Sequence, residues 1–539
     1  MRRVVRSAVF CVLATVSSLA QPNIYSLTNN YSYIPPGFPN YGIAQGSIFD
    51  VFGSGLAPLT TNLQSMPLQT MLDGVSLTVT VSGVTTRPLI YYLSSTQIAA
   101  VLPSGTPPGL GQITVTNGGA TSPAAVIQVV RSAFGLVTNY DSHYPNAAVA
   151  FDANWAPLDT TNAANPGDHI TLWGSGLGPV TGDEAIAPAP VDLSDIPIEV
   201  DIGGVPASVT YHGRSGSPGL DQINVIVPEG VSGCGVSVAV RTGSIVSNFA
   251  TIPVAAGGRA CSDPLVVNWP GSGTFLRMGS LSLSKSVTYE LSSTVMTESA
   301  TATFQEGEIT YGAAGLSVGS CFVSRHFGNE WSVTPGPFQL PPLDAGPAIN
   351  ISGPLGSASL SPQQKGYYSG VIGGASGSGA VLPAFIPDAG GDFTFGNGVG
   401  GADVGPFTAS FVVVPLIWTN MNAVSTVSLE DGLTVAWNNG APSTAVTIGG
   451  TSTTMYGDQT VVGYFECLAD AAAGTLTVPD MVLQSLPAST IQGYFAPLNG
   501  PASSLSISNT TGPIAFGAPG LAQGTIAVGF TITNSVQYK

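Results

Sequence analysis

Apolar and polar residues alternate in many short segments along this chain of 539 residues. The segments VSLTVTV at 75–81 and IPIEVDI at 196–202 place every second side chain on an apolar face, and LSLSKSVTYEL at 281–291 does the same. A period of two residues predicts half-buried β-strands. No segment has the longer period and the caps of an amphipathic helix. The pattern therefore predicts an all-β protein.

One alternating segment occurs twice and organises the first half of the chain. GSIFDVFGSGLAP at 46–58 returns as GDHITLWGSGLGP at 167–179, an offset of 121 residues. Further on, TQIAAVLP at 96–103 matches DQINVIVP at 221–228, at an offset of 125. The four extra residues fall in the polar, glycine-rich HGRSGSPGL at 212–220. Because insertions are tolerated best in surface loops, we interpret this segment as an exposed loop in a duplicated domain.

The repeated GSGLxP motif has a structural explanation. We expect the preceding aromatic residues, Phe52 and Trp173, to point into a core. Gly53 and Gly174 would then adopt a left-handed or bulged backbone that other residues resist. A phosphate-binding glycine loop would need a following helix and a lysine, and neither is present. The motif therefore predicts a feature of the fold.

Each copy has about seven short strands separated by turn residues, which is typical of an immunoglobulin-like β-sandwich. The first copy spans 42–131 and the second spans 163–256, joined by a linker at 132–162. Residues 21–41 are rich in Tyr, Asn and Pro and are expected to form an extended N-terminal arm.

The remaining residues, 257–539, again read as alternating strands. We predict a larger β-sandwich region of one or two domains, with breaks near the Pro- and Gly-rich stretches 331–347 and 372–380. The predicted architecture is thus a pair of tandem immunoglobulin-like sandwiches followed by a larger C-terminal β-sandwich region.

The order of motifs in the two copies resembles a known family. GSGLxP is followed by an alternating strand, a Q-I-x-x-x-x-P strand and a closing hairpin, and the second copy adds VSNFATIPV and GRACSDP. This order resembles the Solibacter uncharacterised C-terminal domain, a repeat of secreted acidobacterial proteins. The first copy departs from it, with Ser122-Pro123 where the second has Ser247-Asn248, and it has no cysteine. The resemblance implies an exported immunoglobulin-like fold, and it implies no activity because the family has none established.

The N-terminus has the features of a secretory signal. Basic MRRVVR precedes an apolar run at 7–16 and Ser-Leu-Ala before Gln21, which predicts a signal peptide at 1–20. The alternative, an uncleaved anchor, is disfavoured because the run is too short to span a bilayer. No later segment has about 18 uninterrupted apolar residues, so no membrane span is expected in the mature chain. We predict a secreted, periplasmic or cell-surface location.

Four cysteines remain after that cleavage, and an even number in an exported chain favours disulfides. No CxxC pair indicates a zinc site. Three pairings are open. We predict Cys234–Cys261, since both lie at one end of the second copy, and Cys321–Cys467 by elimination; two free buried thiols are the alternative for the second pair.

Charge excludes one class of partner. The formal net charge is −17, and without the three arginines of the signal peptide the chain has 10 basic and 30 acidic residues. Such a polyanion repels phosphate backbones, so nucleic-acid binding is not expected.

Candidate chemistry is sparse. The four histidines, His143, His169, His212 and His326, show no metal-ligand spacing, and there is no HExxH or GxSxG motif. His212, in the inserted segment, is expected to face solvent. The sequence therefore predicts no catalytic residue and no cofactor.

Calcium is a weak candidate ligand. Asp388, Asp392 and Asp403 flank a glycine-rich loop, and carboxylates in flexible loops bind this ion. The DxDxDG spacing is missing, so polar turns between strands are the favoured interpretation.

The six tryptophans raise the question of a carbohydrate platform, because exposed aromatic rings stack on sugar faces. Trp173, Trp418 and Trp437 are expected in cores, whereas Trp155 and Trp331 stand in irregular segments and stay open. Trp269 adds nothing to the pattern.

Export, tandem sandwiches and the absence of a nucleophile–base set favour a non-enzymatic binding or scaffold protein with an unknown protein or glycan partner. The alternative is a protein that binds or degrades polysaccharide through its C-terminal region.

Overall fold

The computed structural model describes residues 21–61, 66–139, 146–186, 191–263, 275–308, 315–329, 340–375, 381–440, 444–498 and 500–539. The predicted signal peptide at 1–20, His143, Trp269 and Trp331 lie outside these residues. Within them, helix is limited to the α-helix Asp480–Gln484 and the 3-10 turns Met421–Ala423, Ala471–Ala473 and Ala496–Leu498. The prediction of an all-β protein is confirmed.

Two sheets form the first sandwich. One has the spatial order Asn23–Asn29, Ile48–Ser54, Gln97–Val101 and Leu89–Leu93. The other has the order Ile43–Ala44, Ala125–Val130, Gly109–Asn117, Val75–Val81 and Met71–Leu72, with Ala120–Thr121 and Val84–Thr86 paired to its inner strands. Phe49 and Val51 of the first sheet and Leu77 and Val79 of the second share one core, so the apolar faces pack against each other. The period-two pattern of the sequence becomes the inside and outside of a sandwich.

The segment predicted as an extended arm divides into two parts. Asn23–Asn29 is a strand that pairs antiparallel with Ile48–Ser54 at the sheet edge. Residues 30–41, called the arm from here on, leave the sandwich and reach the C-terminal region. There Ile34 and Phe38 pack with Val461 in a small buried cluster.

The second sandwich repeats this plan. Its strands follow one another as Gly135–Leu136, His169–Ser175, Asp221–Ile226, Val205–Arg214, Ile198–Ile202, Gly233–Thr242, Ala250–Val254, Ala147–Ala148 and Thr138–Asn139. Ala150–Asp152, Val191–Asp192 and Ile245–Val246 pair with members of this path. Val205–Arg214 pairs with strands of both layers and has a register shift between Val209 and Tyr211, where the strand passes from one layer to the other.

The segment predicted as a linker belongs to the second sandwich. Four short strands between residues 135 and 152 pair within it; for example, Ala150–Asp152 pairs with His169–Ser175. Alternation is too short in each of them to be recognised from sequence.

The GSGLxP motif is built differently from our expectation. Val51 and Leu172 are core residues, whereas Phe52 and Trp173, next along each strand, lie half-buried on the outer face. The prediction that these aromatic residues point into the core was wrong, because the alternation along each strand places their neighbours inside.

The first glycine of the motif is required by a close approach of chains. A Cβ at Gly53 would lie 2.0 Å from the carbonyl oxygen of Asn23, and one at Gly174 would lie 2.0 Å from the ring of Phe134. The left-handed backbone occurs later in the motif, for example at Gly55 with φ 66°.

The inserted segment 212–220 is an interface between the two sandwiches. Arg214 is fully buried and donates from Nε to Oδ1 of Asp221 at 2.6 Å. The Tyr91 hydroxyl of the first sandwich donates to the Pro218 carbonyl at 2.7 Å, and Gly219 lies against Ile48. The expectation of an exposed loop was wrong, because a neighbouring domain covers it.

The C-terminal domain has one large sheet and smaller sheets packed on it. The large sheet has the order Cys321–Phe327, Gln459–Asp470, Ala445–Tyr456, Ser504–Phe516, Gln523–Ser535, Phe275–Tyr289, Thr294–Glu308, Tyr367–Ala375 and Pro362–Gln364, with Val381–Leu382 at its edge. A second sheet has the order Gly356–Leu360, Ile349–Gly353, Gly391–Gly396 and Thr408–Val413, and a third has Ile417–Trp418, Leu433–Asn438 and Thr475–Val478. Thr426–Val427 pairs with Gln537–Tyr538, and Tyr494–Phe495 with Gly500–Pro501.

A single core joins these sheets. Phe304, Phe393, Trp437 and Ile507 belong to one buried cluster, although the predicted breaks near 331–347 and 372–380 separate them in sequence. The first long strand, Phe275–Tyr289, also runs parallel to Gln523–Ser535 near the C-terminus. Strands from both sides of each predicted break thus form one unit.

Two disulfides tie these parts together. Cys234 is bonded to Cys261 across 27 residues, and Cys321 is bonded to Cys467 across 146 residues. Cys321 and Cys467 stand directly opposite each other on neighbouring strands, which is why the second bridge closes without displacing the sheet.

Candidate functional site

A cleft of about 1000 Å³ lies where the arm, both sandwiches and the C-terminal domain meet. The arm, both sandwiches and the C-terminal domain contribute to its walls. Its lining residues are Gly37, Phe38, Pro39, Tyr41, Gln128, Glu199, Arg241, Gly243, Ser244, Leu429, Glu430, Thr454, Met455, Tyr456, Gln484, Leu486, Pro487, Ala488 and Thr490. Clefts at domain junctions are where binding sites most often occur. We refer to it as the junction cleft.

Arg241 is the centre of polar contacts on one wall. Its Nη1 donates to Oδ2 of Asp480 at 2.6 Å and to Oε1 of Gln484 at 3.1 Å, and its Nη2 forms an ion pair with Glu199. Asp480 stands in the first turn of the only α-helix among the described residues. One guanidinium thus fixes the second sandwich to the C-terminal domain and holds the wall in a preformed shape.

Carboxylates surround this guanidinium. Glu199 and Asp201 are two residues apart on the strand Ile198–Ile202 and so lie on the same face. Burial raises the pKa of Asp201 to about 6; the Gly204 N–H opposes this shift, and the charge of Asp480 adds to it. The wall is therefore acidic at neutral pH, with one cation in its centre.

The opposite wall is aromatic and includes the arm. Phe38 and Tyr41 are buried against Val461, and the Arg325 guanidinium lies 5.8 Å from the centre of the Phe38 ring. Burial lowers the pKa of Arg325 to about 10. Tyr456 is 49% exposed, which leaves its ring accessible to a ligand.

The residues of the cleft are suited to binding. None of the lining residues is His, Cys or Lys. Its aromatic rings, amides and hydroxyls are the groups that hold a ligand through stacking and hydrogen bonds.

The calcium candidates are not gathered into a site. Asp403 accepts from Lys365 at 3.0 Å, and Asp388 accepts from Lys285 at 3.1 Å, so cations of the protein itself pair with both carboxylates. Asp392 is exposed on the strand Gly391–Gly396. Within the described ranges, no group of three His, Cys, Asp or Glu side chains is arranged to hold a metal ion.

The described histidines lie apart. His169 is exposed at the start of a strand, and His326 contacts the Gly328 carbonyl through Nε2 at 3.0 Å. His212 was expected to face solvent, but it is half-buried and its Nε2 is 3.0 Å from the Ile196 carbonyl oxygen.

The described tryptophans fall into two groups. Trp418 and Trp437 are buried in the C-terminal core as predicted, and their indole N–H groups donate to Asn420 and Ala471. Trp155 and Trp173 lie close together on the outer surface of the second sandwich.

Sequence reasoning did not identify the junction cleft. Arg241 and Asp480 are 239 residues apart, and nothing near either residue in the chain marks the other as its partner. An arginine within an apolar strand, SVAVRT, is the one local signal of a buried ion pair.

Comparisons with known proteins add little. No family model and no curated protein matches the chain. Among solved structures, it is similar to the plexin A4 extracellular region (TM-score 0.17, 11% identity, covering 89% of this chain and 31% of that one). It is also similar to the γ-CGTase of Alkalophilic bacillus clarkii (TM-score 0.16, 11% identity, covering 70% of this chain and 39% of that one). A further similar structure is the Bacteroides ovatus SGBP-B in complex with a mixed-linkage heptasaccharide (TM-score 0.14, 12% identity, covering 85% of this chain and 96% of that one).

TM-scores this low do not establish a shared overall architecture. The chain also spans less than two fifths of the length of each of the first two of these proteins. In the part of the chain that the structure describes, no helix is long and apolar enough to cross a membrane.

Proposed function

We propose that this protein is a non-enzymatic, extracellular binding and scaffold protein that holds its ligand in the junction cleft. The observation that carries this proposal is the construction of the cleft from the arm, both sandwiches and the C-terminal domain. Arg241, Asp480 and Gln484 join the second sandwich to the C-terminal domain before any ligand arrives. A preformed site loses less conformational entropy on binding, which favours affinity.

A location outside the cytoplasm agrees with the two disulfides, which persist in oxidising compartments. We propose a secreted, periplasmic or cell-surface location on this ground and on the predicted signal peptide. The two sandwiches, proposed members of the Solibacter family, would serve as the rigid part of the scaffold.

The second candidate is a polysaccharide-binding function of the C-terminal domain. It is supported by Tyr456, whose half-exposed ring stands beside Thr454 and Thr490 on the C-terminal wall of the cleft. An aromatic ring flanked by hydroxyl groups suits the apolar face and polar edge of a sugar. Degradation of the polysaccharide would additionally require two opposed carboxyl groups around the bond.

The test uses the full mature chain and a panel of soluble polysaccharides and oligosaccharides. Binding is measured by affinity electrophoresis and calorimetry, and chemistry is measured as newly released reducing ends. Ser244→Trp, at an exposed position in the cleft, fills the cavity without touching the Arg241 contacts. Ser293→Trp is the matched control, because Ser293 is an exposed serine in a turn of the C-terminal domain and does not line the cleft.

We expect saturable binding that Ser244→Trp weakens and Ser293→Trp does not, with no reducing ends released. Loss of binding in Tyr456→Ala as well would support the polysaccharide candidate. Release of product that disappears in Glu199→Gln or Glu430→Gln would overturn the non-enzymatic assignment.

A further inference from the structure

The outer face of the second sandwich carries a row of side chains across four strands. Phe151 stands opposite Thr171, Thr171 opposite Asn224, and Asn224 opposite Tyr211. Residues that face each other across antiparallel strands point to the same side of the sheet. The core residues Leu172 and Ile223 alternate with this row, so the row lies on the face away from the core. Its position is fixed by the strand register.

Three aromatic rings stand together on this face. The ring of Trp155 is 6.3 Å from that of Phe151 and 6.2 Å from that of Trp173, measured between centroids. The interplanar angles are 51° and 39°, so the rings form a twisted platform instead of a flat one. We call Phe151, Trp155, Trp173 and the neighbouring Gln222 and Asn224 the aromatic face.

The exposure of Trp155 is imposed by the backbone. Trp155 has φ 62°, in the left-handed region that disfavours residues with a side chain. Its turn is closed by Asp152, whose Oδ1 accepts from the N–H groups of Asn154 at 2.8 Å and Ala156 at 3.0 Å. The side chain is 59% exposed, which is unusual for a tryptophan in an ordered turn. The turn holds a large apolar ring outward at a position where glycine or asparagine would be favoured.

Hydrogen-bonding groups lie beside the rings. The Asn224 Oδ1 atom accepts from Thr171 Oγ1 at 3.1 Å and from Gln222 Nε2 at 2.8 Å. Among the described residues, the Asn224 amide nitrogen has no acceptor, so it is available as a donor. The network orients two amides next to Trp173, whose strand partner is Gln222.

We propose that the aromatic face binds a neutral polysaccharide chain. The rings supply stacking surfaces for the apolar faces of sugar rings, and the amides supply donors and acceptors for hydroxyl groups. No member of the face is charged, so it matches an uncharged polar ligand better than an anionic or cationic one. Because the ring planes are twisted, the ligand is a single soluble chain rather than the flat surface of an insoluble polymer.

This site is separate from the junction cleft and does not depend on it. Trp155, Trp173 and Asn224 are absent from the cleft lining, and the described residues of the cleft wall from this sandwich belong to other strands. The proposal also differs from a glycan site in the C-terminal domain, because all its residues belong to the second sandwich.

The test is affinity electrophoresis of the full mature chain in gels that contain soluble β-glucan, glucomannan, xylan or starch, with tryptophan fluorescence titration. Trp155→Gly removes the ring and places at φ 62° the residue that tolerates this backbone best, so the fold is retained. Tyr25→Ala, at a 66% exposed aromatic residue on the first sandwich, is the matched control.

We expect at least one of these polysaccharides to retard the protein, and Trp155→Gly to weaken its binding by about tenfold or more, as for a central aromatic contact. Trp155→Phe restores part of the affinity, and Tyr25→Ala leaves it unchanged. Retardation by none of the four, or equal retardation of Trp155→Gly and the unchanged chain, would overturn the proposal. Binding lost in Ser244→Trp and kept in Trp155→Gly would assign the ligand to the junction cleft and would also overturn it.

Discussion

The same outer face is contacted by different segments of the chain in the two sandwiches. Asp50 is the counterpart of Thr171, and Phe52 is the counterpart of Trp173, each at the offset of 121 residues. In the first sandwich, Asn30 donates to Oδ2 of Asp50 at 2.9 Å, and the ring of Tyr33 lies 6.4 Å from that of Phe52. Residues 30–33 of the arm therefore contact this face in the first sandwich, whereas Trp155 contacts it in the second.

This difference shows how a duplicated fold acquires different roles. The cores of both copies follow the same alternation and are filled with the same types of residue. The chain that precedes each copy decides what the outer face does. In the first copy it contacts Asp50 and Phe52, whereas in the second it adds Phe151 and Trp155 to the face.

A second difference between the copies lies at the interface between the two sandwiches. Asp221 of the second sandwich corresponds to Thr96 of the first, and its partner Arg214 lies in the segment 212–220, which contains the four extra residues. Asp221 Oδ2 also accepts from the N–H groups of Gly176 at 2.7 Å and Leu177 at 2.8 Å. The second copy of the GSGLxP motif is thus tied to a buried ion pair that the first copy lacks.

The largest expected effect comes from breaking that ion pair. Both side chains have 0% exposure, so Arg214→Ala leaves the Asp221 carboxylate buried without its counter-charge. We expect the free energy of unfolding of the second sandwich to fall by about 3–5 kcal/mol. Urea denaturation measures it. Arg131→Ala is the control, because its ion pair with Asp195 is 60% and 66% exposed and is worth about 0–1 kcal/mol.

The ion pair can also be replaced. Asp221→Thr together with Arg214→Met introduces the threonine of the first sandwich, and we expect this double variant to recover most of the lost stability. A single Arg214→Ala variant that unfolds like the unchanged chain would show that the buried ion pair does not stabilise the second sandwich.

The next largest effect concerns a disulfide that the second copy contains and the first copy lacks. Replacing Cys234 and Cys261 with Ala opens a loop of 27 residues in the second sandwich, and the first has no equivalent bridge. We expect the free energy of unfolding to fall by about 3–4 kcal/mol in the chain-entropy model, measured by thermal denaturation without reductant. If the double variant and the unchanged chain melt together, the bridge contributes nothing to the second sandwich.

The third expected effect is a gain in stability, and it tests the contact between the arm and the outer face of the first sandwich. Asp50 is fully buried beneath the arm, and burial raises its pKa to about 6. Because the pKa is higher in the folded state than in the unfolded state, where it is near 4, the contribution of this group to stability is largest at a pH below about 4. That contribution to the free energy of unfolding then falls as the pH rises through 6 and the buried carboxyl ionises. Asp50→Asn removes the buried charge.

We therefore expect Asp50→Asn to stabilise the protein by roughly 2–3 kcal/mol at pH 8 and to have little effect at pH 4. Denaturation at several pH values measures this, with Asp392→Asn as an exposed control. A gain that is equal at both pH values would mean that the arm does not desolvate Asp50.

The smallest effect concerns the C-terminal domain, where we expect no bound calcium ion. Asp388 and Asp403 already pair with Lys285 and Lys365. We expect the melting temperature in millimolar calcium to equal that in chelator. A clear upward shift that Asp392→Asn removes would establish the calcium site that the sequence suggested only weakly.

The sequence by itself determined the class of fold, the duplication and most of the core. Alternation at 75–81 was sufficient because every second side chain of that strand is buried. The offset between copies also located the insertion at 212–220 correctly. These features depend on local periodicity and on comparison of the chain with itself, which the sequence contains.

Only the tertiary structure decided which surfaces are covered. The insertion has the composition of an exposed loop, yet the first sandwich buries it. Trp173 and Phe52 occupy equivalent positions on equivalent strands, but Trp155 contacts the first and Tyr33 of the arm contacts the second. The junction cleft depends on Arg241 meeting a helix 239 residues later. Such contacts follow from how domains pack, and no local pattern of residues records them.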